Sequence, residues 1–206
     1  MPRNNKPLQP KALDPTLAAI EPRSAMELKN LSHNATFSEE THCFRASVYI
    51  NGKRMFTASN GGNGGPNFYS PSDFKTGKEA FEEAMSLARE EARQYTLKKI
   101  ELGEDLQWAI DDDRLKDELI DWLIADLINE QLTLKEMRKA LKKKVMVYWP
   151  KSNEIFYLGR DKPTDEILEK YKNHFATRSD WKNAKDWIWL NMIPEAEAYK
   201  YWRTAS

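Results

Sequence analysis

The sequence predicts an α+β fold in which an antiparallel sheet, built from two hairpins, packs with amphipathic helices. Three observations carry this. Asn51-Gly52 sits between two alternating apolar stretches, the strongest short-range hairpin signature. A second apolar pair, VMVYW and EIFYLG, flanks the turn segment Pro150 to Asn153. The stretches between and after these hairpins repeat their apolar residues at helical spacing, and strands followed by helices, a hairpin and more helices is an α+β order.

Taken in order, residues 1–24 hold five of the ten prolines among polar residues and read as a flexible arm. Residues 25–206 then read as one α+β domain, within which 163–206 is open to reading as a helical subdomain. MELKNLSH alternates weakly from Met26. In the strand that follows, a period of two puts Phe44, Ala46, Val48 and Ile50 on one face and Arg45, Ser47 and Tyr49 on the other. Thr76 to Glu79 spells a capping box, T-G-K-E, that opens a helix over 77–100. Asp111, Asp112 and Asp113 suit a helix N-terminus, and Leu115, Leu119, Leu123 and Leu127 follow at steps of four, widened by Ile120, Ile124 and Ile128. Thr133 to Glu136 reads as the cap of a separate short basic helix ending at Lys144. Further helices are expected over 163–175 and 181–191, with Pro194 opening a last one.

Composition narrows the function classes. Lys and Arg equal Asp and Glu at 32 each, which argues against a generic nucleic-acid binder held by phosphate neutralisation. The zero average conceals a local dipole: residues 101–130 carry eleven acids and two bases, residues 131–144 one acid and six bases. No apolar run reaches the roughly 18 to 20 residues that span a bilayer, and the N-terminus lacks a signal peptide's apolar region. A cytoplasmic protein without a membrane role is expected. Cys43 is the only cysteine, and His33, His42 and His174 show no metal-binding spacing, so no disulfide framework, metal centre, cofactor or catalytic residue is expected.

Three features remain as candidate sites. Gly61, Gly62, Gly64 and Gly65, half of all the glycines, fall within five residues between Asn60 and Phe68. Such a run can form a backbone anion nest, with Lys53 and Arg54 adding charge from the same hairpin. It lacks G-K-[ST] and does not run directly into a helix, so it matches no named phosphate motif. Glycines supplying positive φ in an irregular connection explain it as well. Alternatively Asn60, Asn63 and Asn67 offer hydrogen bonds and Phe68 and Tyr69 aromatic anchors for a partner. The second feature is Asp113, Asp117 and Asp121, at i, i+4, a carboxylate row able to imitate a nucleic-acid backbone toward a basic surface; the bland reading is capping and solubility. The basic stretch ending in Lys142, Lys143 and Lys144, followed by aromatic strands, could hold single-stranded nucleic acid.

The run FRASVYINGKRMFTASNGGNGGPNFY, a charged amphipathic helix after it, and the late WLNMIPEAEAYKYW resemble small proteins encoded by bacteriophages and other mobile elements. That resemblance implies no catalytic residue. It implies an accessory protein that inhibits a host protein, defence machinery included, by binding and occluding it. Sequence and resemblance together predict a non-enzymatic protein-interaction module. The alternatives are a nucleotide or single-stranded nucleic-acid binder using the glycine loop and basic helix, and a self-associating assembly protein.

Overall fold

The computed structural model describes residues 16, 21–73, 77–159, 161–177 and 186–205. It has the α+β class and contains two compact units, one over Glu21–Asn129 and one over Glu130–Ser206. Thr16 is described with the second unit, and the rest of the expected arm lies outside the described residues except 21–24. There Ser24 Oγ donates to Glu91 Oε1 at 2.8 Å.

In the first unit, β1 (Met26–His33), β2 (Cys43–Ile50), β3 (Lys53–Gly61) and β4 (Phe68–Pro71) form an antiparallel sheet in that order. Asn51 and Gly52 both take positive φ, 51° and 76°, the twist that a two-residue hairpin requires. Pairing Val48 with Phe56 and Ala46 with Ala58 collects Phe44, Ala46, Val48, Ile50, Phe56 and Ala58 on one buried face. Against the sheet lies α1 (Lys78–Glu101), which buries Ala84, Met85, Ala88 and Ala92, with Phe81 edge-on to Phe56 at 6.5 Å. Gly77 is its N-cap; Thr76, the expected capping residue, lies outside the described residues.

The acidic stretch departs from expectation. A short α2 (Gln107–Asp111) and a 3-10 turn (Asp113–Leu115) precede one long helix, α3 (Lys116–Leu141). No break occurs at Thr133, because Ile120, Ile124, Ile128, Leu134 and Met137 keep one buried stripe running and no Gly or Pro interrupts it. The first turns of α3 belong to the first unit and its last turns to the second.

The second unit builds its own sheet, so the two hairpins seed two sheets rather than one. Strands β5 (Val145–Trp149), β6 (Glu154–Leu158) and β7 (Ile188–Trp189) lie in the order β6-β5-β7. Central β5 is apolar throughout because it is buried on both faces. Met146 and Tyr148 pack with Leu134, Met137, Leu190 and Tyr199, while Val145 and Val147 pack with Leu158, Leu168 and Trp187. Leu168 comes from α4 (Asp165–Thr177) and Tyr199 from α5 (Glu195–Ala205). The helix expected over 181–191 is corrected in its described part: Ile188 and Trp189 pair with Tyr148 and Val147, followed by a 3-10 turn. Aromatic and β-branched side chains beside an open edge of β5 favour strand there.

Candidate functional site

The glycine loop is a tightly bonded connection. Asn60, only 7% exposed, is its hub. Its Oδ1 accepts from Thr41 Oγ1 and Gly62 N–H at 2.9 Å each, and its Nδ2 donates to Gly65 O at 3.2 Å and Asn67 Oδ1 at 3.1 Å. The Gly62 carbonyl takes N–H donations from Glu39, Glu40 and Thr41 at 3.0, 3.0 and 3.3 Å. Gly62, at φ 91°, has no room for a side chain: a Cβ would stand 1.8 Å from the Phe37 carbonyl oxygen. Gly65, at φ 83°, faces open space. Thus Asn60 and Gly62 are buried and hold the loop together, and the exposed loop residues are Gly61, Asn63, Gly65 and Pro66, with Gly64 half-buried against Glu40.

Lys53 and Arg54 do not serve this loop. They begin β3 and the glycines end it, so about eight residue steps of roughly 3.3 Å separate the two. The aromatic pair is divided by strand alternation. Phe68 is 74% exposed, whereas Tyr69 turns inward, edge-on to Phe56 at 5.5 Å. Tyr69 Oη donates to Asp121 Oδ1, and Asn67 N–H donates to Asp121 Oδ2 at 3.1 Å. The two sequence features therefore meet at Asp121.

They do not meet as an uncompensated carboxylate row. Asp113, with a side chain 98% exposed, lies in the 3-10 turn before α3, and Lys116 is 3.8 Å away. Asp117 receives Arg89 Nε at 2.6 Å. Asp121 is held by β4, and burial pushes its carboxyl up, opposed by the bonds from Tyr69 and Asn67. Burial, then the Asp121 carboxylate, push the Tyr69 phenol up as well, so it stays a neutral donor.

Beside Asp121 opens a cavity of about 530 Å³. Helix α3 lines it with Asp121, Trp122, Ala125 and Ile128, at helical spacing along one face. The β1–β2 connection adds Glu39, Glu40 and His42, and the sheet end adds Phe44, Asn60 and Asn67. His42 is fixed from both sides: Nε2 lies 3.0 Å from Asn129 Oδ1, and Nδ1 lies 3.2 Å from His33 Nε2. Trp108, which is not among the lining residues, is edge-on to Trp122 at 5.7 Å. Among the described residues no Lys or Arg lines the cavity.

Sequence reasoning missed His42, Glu39, Glu40, Trp108 and Trp122. The helical phase of Trp122 with Ala125 and Ile128 was readable. The histidine pairing was not, since it depends on His33 standing opposite Phe44 across β1 and β2.

In the second unit Lys142, Lys143 and Lys144 are exposed at the end of α3, where Asn191 Nδ2 donates to the Leu141 and Lys144 carbonyls at 2.9 and 3.1 Å. Tyr148 is buried in the core, and Tyr157, though 62% exposed, carries Lys144 Nζ 4.0 Å from its ring. The ring that could stack on a base is thus already covered by a cation of the same chain. Among the described residues no His, Cys, Asp and Glu cluster suits a metal ion, and no helix is long and apolar enough to cross a membrane. Set against known proteins, the chain matches no family model, and no curated protein or solved structure matches it.

Proposed function

We propose that this protein is a non-enzymatic interaction module whose first unit binds a basic protein partner. The observation that supports this most is the cavity lined by Glu39, Glu40, Asp121 and Trp122, with no Lys or Arg among its described lining residues. Its surroundings fit the same reading. Residues 21–129 carry twenty acids and thirteen bases, so long-range attraction favours a cationic partner. Exposed Phe68, Trp108 and Trp122 are the side-chain types that anchor protein interfaces.

The mechanism is occlusion: a partner's basic surface is covered by the acidic unit. In the mobile-element setting that the sequence resemblance implies, the partner is a host protein, the outcome inhibition, and the site of action the host cytoplasm. A tagged chain exposed to nuclease-treated host lysate tests this. A stoichiometric protein partner that is released by salt and lost with Trp122→Ala supports the module. Loss of every partner on nuclease treatment contradicts it and favours a nucleic-acid binder.

A further inference from the structure

We propose that the cavity receives the guanidinium of an arginine side chain presented by a basic segment of the partner, an inference that rests on the protein-binding reading above. The chemistry of the walls selects the charge. Glu39, Glu40 and Asp121 are among the lining residues, and no Lys or Arg is among those described. An anion would face those acidic residues with no described Lys or Arg beside them, and an apolar group would strip water from carboxylates without replacing their hydrogen bonds. A cation gains charge-assisted hydrogen bonds instead.

The geometry favours Arg over Lys. Asp121 is held in place by Asn67 N–H and Tyr69 Oη, one on each oxygen, and a carboxylate has about four acceptor positions. It can therefore accept a further donor without giving up those that orient it. The indole of Trp122 lines the cavity next to it in sequence, braced by Trp108. A planar guanidinium can pair in a fork with a carboxylate and stack on an aromatic face, whereas an ammonium does neither as well. Half-buried Ala125 offers apolar surface for the methylene stem. At about 530 Å³ the space exceeds one guanidinium and leaves room for the peptide that carries it.

The test titrates the full chain, labelled with nitrogen-15, with a capped five-residue glycine peptide carrying one central arginine. The reading is the Trp122 indole N–H resonance, assigned through Trp122→Phe. The same peptide with neutral, isosteric citrulline and free agmatine form the other arms. The account expects a saturable shift with the arginine peptide, about tenfold weaker binding of the citrulline peptide, and a similar loss with Glu40→Gln. Asp121→Asn should also weaken binding, but it touches Tyr69 and Asn67, so Glu40→Gln on the exposed loop decides. Equal binding of arginine and citrulline peptides, or no effect of Glu40→Gln, overturns the inference. Agmatine binding as tightly as the peptide would also overturn it, assigning the cavity to a free organic cation. A lysate partner still captured by Glu40→Gln but lost with Phe68→Ala would sink the cavity inference and leave the protein-binding reading standing.

Discussion

The clearest separation of roles among single residues lies inside the glycine loop. Gly62→Ala drives a Cβ into the Phe37 carbonyl at an unfavourable φ, so either β3 or the Ala35–Phe37 turn must shift. The expected cost is about 3 kcal/mol or more. Gly65→Ala meets only the conformational penalty, about 1 to 2 kcal/mol, because its side is open. Urea denaturation of both variants checks the ordering, and equal midpoints would contradict the packed loop. Asn60→Ala strands the Gly62 N–H and the Thr41 hydroxyl and should cost about 2 to 3 kcal/mol in the same assay. That the loop needs positive φ was legible from four clustered glycines. Which glycine is pinned was not, because the obstructing carbonyl comes from Phe37, 25 residues earlier. Asp121 shows the same limit: its i, i+4 spacing from Asp117 was visible, but its commitment to Tyr69 depends on β4 reaching α3.

Among the elements, α3 tests how far local signals govern the fold. A threonine followed three residues later by glutamate reads as a helix start, yet Thr133 lies in the interior of one helix of 26 residues. The buried stripe through Ile128, Leu134 and Met137 outweighs a cap worth about 1 kcal/mol. Thr133→Pro should therefore cost about 3 kcal/mol or more and lower helical circular dichroism; a near-neutral effect would restore the two-helix reading. The hairpins were legible because their information is local: Asn51-Gly52 fixes the first, and the Pro150–Asn153 segment marks the second. The edge strand β7 was misread as helix because it exists only through pairing with β5, about forty residues away in sequence.

Across the whole molecule, the class was readable but its division was not. Two hairpins do not reveal whether they share a sheet, since that choice is made by non-local packing. Charge segregation was readable, and acid should resolve it into opposite responses. Glu195 is held below the usual carboxylate range, first by Arg138, which forks onto it at 3.0 and 2.5 Å. Its contribution is present above the ordinary glutamate pKa and lost as pH falls through the lowered value. The pair is partly exposed, so its worth is under about 1 kcal/mol. Asp121 has the reverse sign: its raised pKa means that stability is fullest with the carboxyl protonated and is lost as pH rises through the raised value. Relative to the parent chain, Arg138→Gln should lose less stability at acid pH than at neutral pH, and Asp121→Asn should compare worse at acid pH than at neutral pH. Denaturant titrations across pH check both signs. The central claim is that the acidic cavity recognises a basic protein, and the most direct measurement is capture from nuclease-treated host lysate by the parent chain and by Glu40→Gln/Trp122→Leu side by side. The account predicts one stoichiometric protein on the parent chain and its loss from the double variant; equal recovery on both would contradict it.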